Sequence, residues 1–169
     1  MQDIYLRAIE MEDIPFLHTL FNHPDIMAYW FSEPYHTKHE LEEQFKKKNE
    51  HSRLFIITNN EKENIGLIGF YGINQRHRHA EFAIALDPDH QGKGYASKAT
   101  KLVLDYAFYI LNLRKIYLIV ADTNARAHHI YEKVGFEIEG RLTEHYFING
   151  TYEDAIMMGL FRKDYLENR

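Results

Sequence analysis

The chain has 169 residues, of which 45% are hydrophobic and 14% aromatic, enough for one domain with a sizeable buried core. Acidic residues outnumber Lys and Arg by 25 to 20, and the net charge of −5 argues against a dedicated nucleic-acid-binding protein. The sequence contains no cysteine, which excludes disulfides, thiolate nucleophiles and thiolate metal ligands. No signal peptide and no apolar run of membrane-spanning length is present, so we expect a cytoplasmic protein without membrane contact.

The first part of the chain predicts a strand followed by two helices. Residues 3–10 alternate polar and apolar positions, as in a half-buried strand. Residues 12–22 carry one apolar helical face, and residues 22–25 ("NHPD") predict a turn. Thr37 and Glu40 have the spacing of a capping box at the start of a second, mostly charged helix.

The remainder predicts three strands, a long helix, a strand, a shorter helix and two final strands. In chain order these are residues 53–60, 64–74, 79–87, 96–112, 114–122, 125–136 and 146–161. Gly135 is suited to end the shorter helix, and Asn149-Gly150 is a strong hairpin signal between the last two strands. With no repeat or linker, residues 1–169 are predicted to form a single mixed α/β domain.

A glycine-rich loop, "HQGKGYAS" at residues 90–97, joins a predicted strand to the long helix. Free backbone N–H groups and the positive end of a helix dipole meet at such a junction and can bind an anion. The loop matches neither of the two common phosphate-loop spacings, and instead places Gln91, Gly94 and Ala96 in a Q-x-x-G-x-A pattern. From the loop alone, phosphate binding and an ordinary glycine turn are equally open.

A second motif follows about thirty residues later and comprises Asn124, Ala127, Tyr131 and Gly135-Phe136. The two motifs together resemble the GNAT N-acetyltransferase superfamily, and the resemblance covers nearly the whole chain. Segments such as "YWFSEPY" and "YFINGTY" are similar to its polyamine branch, the bacterial spermidine/spermine N-acetyltransferases. The resemblance implies a mostly antiparallel central sheet flanked by helices, with a splayed strand pair at the cofactor site.

The same resemblance implies transfer of an acetyl group from acetyl-CoA to a primary amine of a polyamine, with no metal. Because the chain has no cysteine, we expect the amine to attack the thioester directly, without an acyl-enzyme. It also implies a homo-oligomer, hexameric or dodecameric. The implied cofactor-binding residues lie on the splayed strand, the glycine loop and the second motif: Ile84, Ala85, Leu86, Gln91, Gly92, Lys93, Gly94, Tyr95, Ala96, Ser97, Asn124 and Ala127.

Tyr131 matches the tyrosine that the family places near the thioester sulfur, which implies that it donates a proton to the leaving thiolate. Without the motif it would be interpreted as a core aromatic residue. The candidate carboxylates for binding a cationic amine are Glu33, Glu40 and Glu81. Glu81 is equally open to a surface ion pair with Arg78. Aromatic residues near the first of these carboxylates could add cation–π contacts: Tyr29, Trp30, Phe31 and Tyr35.

His77 and His79, two residues apart on a strand, could chelate a metal weakly, but no third ligand is apparent and no metal site is predicted. Ser32, Gly69 and Gly72 stand where the polyamine enzymes that the chain resembles carry acids of a regulatory polyamine site. The sequence therefore predicts that this regulation is absent.

Two other functions remain open on the same cofactor motifs. One is a ribosomal-protein-type N-terminal acetyltransferase with a peptide groove. The other is a non-catalytic acetyl-CoA sensor, which the presence of Tyr131 and both motifs disfavours.

Overall fold

The computed structural model describes residues 3–30, 35–47 and 49–168. In this part of the chain one seven-stranded sheet has the order β1-β2-β3-β4-β5-β7-β6. Its strands are β1 (Ile4–Ala8), β2 (Arg53–Asn59), β3 (Asn64–Asn74), β4 (His79–Leu86), β5 (Lys115–Ala121), β6 (Glu137–Ile148) and β7 (Thr151–Phe161). Every neighbouring pair is antiparallel except β4 and β5, which are parallel. The predicted mixed α/β fold with a mostly antiparallel sheet is confirmed.

Six α-helices accompany the sheet in the described ranges. They are α1 (Ile14–Phe21), α2 (Pro24–Met27), α3 (Lys38–Lys46), α4 (Tyr95–Asp105), α5 (Ala125–Val134) and α6 (Arg162–Glu167). A π-helical turn, Tyr106–Ile110, extends α4 to nearly the predicted end of the long helix. The capping box of α3 is present, with the Glu40 backbone N–H donating to Thr37 Oγ1 at 3.1 Å.

Three local predictions were wrong or incomplete, one of them the start of β6, which begins at Glu137 rather than at residue 146. Residues 22–25 were expected to be a turn, but Pro24–Met27 form one helical turn. His23 Nδ1 accepts from the Asp25 backbone N–H at 3.2 Å, and Pro24 occupies the first helical position, where its missing N–H costs nothing. Helix α6, at the C-terminal end, was not anticipated.

Helices cover both faces of the sheet, and the alternation of strand side chains divides the core into two clusters. Ile57 and Phe70 point to the face covered by α4, where they join Val103 and Phe108. The neighbouring Ile56 points to the opposite face, toward the apolar residues of α1, α2 and α3. Both isoleucines are fully buried, and a shift of β2 by one residue would turn each of them to the opposite face. The pairing register of β2 is therefore strongly specified.

The parallel strands β4 and β5 form only a short ladder. They pair at His79–Lys115, Ala80–Ile116 and Glu81–Tyr117, and no pairing continues beyond Glu81 and Tyr117. Each strand continues to pair on its other side, β4 with β3 and β5 with β7. The two strands therefore diverge as a fork, which confirms the splayed pair that the resemblance implied.

Candidate active site

The fork between β4 and β5 leads into two cavities that share a wall. The first, here called the fork cavity, has a volume of about 560 Å³ and contains Tyr71, Glu81 and Tyr146 in its lining. The second, here called the loop cavity, has a volume of about 690 Å³ and is lined by the glycine loop. The residues that line both are Tyr29, Trp30, Ile84, Asn124, Ala127 and Tyr131. Two molecules bound in adjoining compartments can react without a covalent enzyme intermediate.

The glycine loop presents the N-terminus of α4 to the loop cavity. Gly92 and Gly94 have φ of +79° and +80°, in the left-handed region where glycine is strongly preferred. A Cβ atom on Gly94 would meet no heavy atom within 4 Å, so open space lies beside it. No side chain in the described ranges caps α4. The first N–H groups of this eleven-residue helix are thus available to an anionic ligand.

Gln91 and Arg126 connect the loop to α5. Gln91 Nε2 donates to the Leu86 carbonyl oxygen at 3.0 Å, and its Oε1 accepts from Arg126 Nη1 at 3.1 Å. Arg126 Nη2 is 3.6 Å from the position that a Cβ on Gly92 would occupy. Gln91 therefore stabilises the loop through its side chain, while Arg126 places a positive charge beside the helix N-terminus.

Sequence reasoning missed Arg126, although it stands two residues after Asn124 inside the second motif. Eleven of the twelve predicted cofactor residues line the loop cavity. The exception is Lys93, whose Nζ donates to the carbonyl oxygen of Asp89 at 3.0 Å. Asn124 lines the cavity and also caps α5, because its Oδ1 accepts from the Ala127 backbone N–H at 3.2 Å.

Tyr131 lies on the wall common to both cavities. Its ring makes edge-to-face contacts with Phe82 and Phe136, at centroid distances of 5.7 and 5.9 Å. Burial raises the pKa of the Tyr131 phenol far above its usual value, so the hydroxyl keeps its proton at any physiological pH. Tyr131 is thus both a packed aromatic residue and a protonated donor facing the two compartments.

Glu81 stands where the β4–β5 ladder ends, and its side chain lines the fork cavity. Burial raises the pKa of this carboxyl, and the nearby His145 partly opposes the effect. Arg78 Nε donates instead to the carbonyl oxygen of Asn112 at 3.1 Å. The alternative of a Glu81–Arg78 surface pair is therefore not observed, and Glu81 is a half-buried acid in a cleft.

Two tyrosines share the fork cavity with Glu81, and neither was identified from the sequence. The pKa values of Tyr71 and Tyr146 rise to about 12, mainly because of burial and secondly because of the negative charge of Glu81. Trp30 packs edge-on against Tyr71 with ring centroids 6.4 Å apart. Of the predicted aromatic walls, Tyr29 and Trp30 line the cavity, Tyr35 is exposed and outside it, and Phe31 lies outside the described residues.

Of the other two predicted substrate carboxylates, the structure describes only Glu40, which lines neither cavity. Glu40 lies in the capping box of α3, where its Oε2 accepts from the Thr37 backbone N–H at 2.7 Å. This hydrogen bond lowers the pKa of the Glu40 carboxyl. Glu33 falls among residues 31–34, outside the described residues. The assignment of both to substrate binding stays a prediction.

Two further observations concern metal binding and membrane-spanning helices. The rings of His77 and His79 are stacked with centroids 6.0 Å apart. Within residues 3–30, 35–47 and 49–168, no group of three or more His, Asp or Glu side chains is arranged to hold a metal ion. Across the same residues no helix has the length and apolar character needed to cross a membrane.

Comparison with known proteins identifies the class to which this fold and site belong. Residues 3–137 match the family described as the acetyltransferase (GNAT) domain. The chain belongs to the GNAT acetyltransferase family, as the resemblance in its sequence predicted.

The similarity extends to particular enzymes. The chain is 47% identical over 163 residues to spermidine N(1)-acetyltransferase of Vibrio cholerae, covering 95% of this chain and 94% of the relative. The crystal structure of the spermidine N-acetyltransferase from Vibrio cholerae in complex with CoA and spermine superposes with a TM-score of 0.94 at 47% identity, covering 96% and 98% of the two chains. A dodecameric structure of the Vibrio cholerae enzyme in an intermediate state superposes with a TM-score of 0.88 at 46% identity, covering 98% and 97%.

Proposed function

We propose that this protein is an acetyl-CoA-dependent N-acetyltransferase whose acceptor is a primary amine of a polyamine such as spermidine or spermine. The observation that carries the proposal is the meeting of two cavities at Tyr131. One presents a helix N-terminus and Arg126 to an anion, and the other presents Glu81 among aromatic rings. The similarity to enzymes named for spermidine, including one bound to CoA and spermine, supports the same acceptor class.

The loop cavity fits the cofactor of this family. The N–H groups at the start of α4 suit its pyrophosphate, because Gly92 and Gly94 let the ligand approach the backbone. Arg126 adds a positive charge at the same place, fixed by its hydrogen bond to Gln91. The edge of β4 that faces the fork, at residues 84–86, offers main-chain groups that no strand pairs. When bound, acetyl-CoA supplies the acetyl group as an activated thioester.

The chain supplies two groups for the proton transfers. A polyamine arrives as an ammonium ion and must lose a proton before its nitrogen can attack. Glu81 is the carboxylate in the fork cavity that can accept this proton, directly or through a water molecule. As the amine nitrogen bonds to the acetyl carbon and the carbon–sulfur bond breaks, the Tyr131 hydroxyl gives its proton to the departing sulfur. The second proton of the attacking nitrogen, lost as the amide forms, then restores the Tyr131 hydroxyl. Tyr131 is suited to this role because its phenol is fully protonated.

An amine panel tests the proposal. Purified protein with acetyl-CoA should release CoA with spermidine and spermine, and much more slowly with peptides that carry a free N-terminus. Preference for the peptides would indicate an N-terminal acetyltransferase instead. Failure to release CoA with any amine, despite binding acetyl-CoA, would indicate a sensor.

Replacing Glu81 tests the proposed base. Glu81→Gln should lower kcat/KM for spermidine by about 100-fold, a typical contribution of a general base. The base acts when ionised, and burial raises its pKa, so the wild-type rate should rise as the pH climbs through that raised pKa. In the variant this acidic limb should disappear. Glu43→Gln is the matched control, because Glu43 is an exposed surface residue paired with Lys46. Equal rates and unchanged pH profiles for both variants would exclude Glu81 as the base.

We also propose that the chain forms a homo-oligomer. Strand β6 is an edge of the sheet, and the β6–β7 hairpin exposes large apolar groups; Ile138, Phe147 and Tyr152 are 60%, 64% and 65% exposed. Large exposed apolar groups at a sheet edge mark a surface that can pair with another chain. The dodecameric relative supports this assembly. Sedimentation of the native protein should give a mass that is a multiple of 20.2 kDa, and Phe147→Glu should reduce it. A monomeric wild type would contradict the proposal.

A further inference from the structure

Two bulged strands contribute side chains near Glu81: β3, which pairs directly with β4, and β6, which lies three strands away at the edge of the sheet. On β3, Tyr71 pairs with Glu81, but the next pair is Asn74 with His79, so two residues of β3 oppose one of β4. On β6, Leu142 pairs with Ala155 and Tyr146 with Glu153, so three residues oppose only Asp154. Bulges bend a strand and redirect its side chains, and they are frequent beside active sites.

Both bulges border on a tyrosine of the fork cavity. Tyr71 is the last residue paired before the β3 bulge, and Tyr146 is the first residue paired after the β6 bulge. Both tyrosines line the fork cavity together with Glu81. The two bulges thus place Tyr71 and Tyr146, from different strands, in the same cavity as Glu81.

Each bulge is stabilised locally. Gly72 adopts φ +57° directly after Tyr71, and a Cβ there would meet nothing within 4 Å, so the bulge bends into open space. In β6 the backbone N–H of Glu144 donates to Asp154 Oδ1 at 2.9 Å, and Arg141 Nη1 donates to Asp154 Oδ2 at 2.9 Å. Trp30 packs against the Tyr71 ring and fixes it from the other side. The tyrosines are therefore held in place rather than free to withdraw.

Resting on the proposed function, we propose that Tyr71 and Tyr146 form a steric gauge at Glu81 that admits an unbranched –CH₂–NH₃⁺ end and excludes an amine on a branched carbon. Tyr71 is the cross-strand partner of Glu81, and both tyrosines line the same cavity as this carboxylate. In such a gauge the rings contact the methylene group that bears the ammonium, and a further substituent on that carbon would collide with them. Amino acids and peptide N-termini other than glycine carry a side chain as well as a carbonyl group on the carbon bearing the amine. The gauge would therefore select polyamine ends over protein N-termini.

Both phenols remain neutral in this arrangement. Their pKa values near 12 keep the hydroxyl protons in place, so the walls of the gauge carry no charge of their own and leave Glu81 as the acid that meets the ammonium. In the described part of the chain, His145, next to Tyr146, and Tyr117, opposite Glu81 on β5, also lie close enough to interact with this carboxyl. Neither lines the fork cavity.

The test compares spermidine with an analogue that carries a methyl group on both terminal carbons. Wild type should prefer spermidine in kcat/KM by at least about 10-fold, the scale on which a pocket discriminates one methyl group. Tyr71→Ala and Tyr146→Ala should each reduce this ratio toward one, while Tyr71→Phe and Tyr146→Phe, which keep the ring, should preserve it. Asp154→Ala, which removes both bonds at the β6 bulge, should act in the same direction as Tyr146→Ala.

Tyr117→Ala is the control, because Tyr117 neighbours Glu81 but lies outside both cavity linings, and it should keep the wild-type ratio. Thermal melting checks that each variant folds. If wild type acetylates both amines equally, or if folded Tyr71→Ala and Tyr146→Ala retain the full preference, the gauge is refuted while the polyamine activity stands. If wild type acetylates no polyamine at all, the proposed function itself fails.

Discussion

At the scale of single residues, Tyr131 shows how a packed aromatic side chain can also be chemically useful. Its ring packs against Phe82 and Phe136, and a phenylalanine at position 131 would keep both contacts. Tyr131→Phe should therefore leave folding and acetyl-CoA affinity nearly unchanged. We expect kcat to fall by about 100-fold, because the hydroxyl stabilises negative charge that develops on sulfur only in the transition state.

The measurements are single-turnover rates with saturating spermidine and calorimetric titration with acetyl-CoA. Tyr117→Phe, which removes a hydroxyl from a tyrosine outside both cavities, provides the comparison. An unchanged single-turnover rate in Tyr131→Phe would show that Tyr131 has only a structural role.

At the scale of secondary-structure elements, the loop before α4 is suited to bind phosphate through its backbone. The effect of adding a side chain there therefore depends on whether that side chain points toward the bound ligand. Gly94 has φ +80° and an empty volume beside it. Gly94→Val should strain the loop and project methyl groups toward the cleft, which should weaken acetyl-CoA binding by more than about 10-fold.

Gly72→Val is the control that distinguishes backbone strain from steric obstruction of acetyl-CoA. Gly72 also has a positive φ and open space around it, but it lies on β3 outside the loop cavity. We expect Gly72→Val to cost stability by a similar mechanism while leaving the dissociation constant for acetyl-CoA unchanged. If the two variants bind acetyl-CoA equally well, the assignment of the phosphate site to residues 91–97 is wrong.

The elements also show which parts of the structure a sequence can reveal. The glycine loop, the hairpin at Asn149-Gly150 and the stop at Gly135 depend on local backbone preferences, so they could be predicted. Gly72 inside β3 is a weak sign of the bulge beside Tyr71, because a glycine within a strand often marks one. The β6 bulge beside Tyr146 depends on how distant strands pair. Arg126 was missed for a similar reason, since its importance comes from the contact between α5 and the loop.

At the scale of the whole molecule, the similarity to a dodecameric enzyme raises the question of regulation by a second polyamine. Such a site would need several carboxylates around spaced ammonium groups. Gly69 cannot be exchanged for an acid without rearrangement, because a Cβ atom there would overlap the carbonyl oxygen of Arg53 on β2. Gly72 supplies no side chain either, and Ser32, outside the described residues, supplies no charge.

We therefore expect the acetylation rate to depend on spermidine concentration hyperbolically rather than sigmoidally. Hydrogen bonds to a charged acceptor are about twice as strong as those to a neutral one, so the loss of acids at three positions should remove most of the affinity of a regulatory site. Initial rates across a wide spermidine range, at saturating acetyl-CoA and fixed protein concentration, measure this directly. A clear sigmoidal curve that becomes hyperbolic in Glu33→Gln or Glu40→Gln would show that these two acids rebuild the site, and the prediction would be wrong.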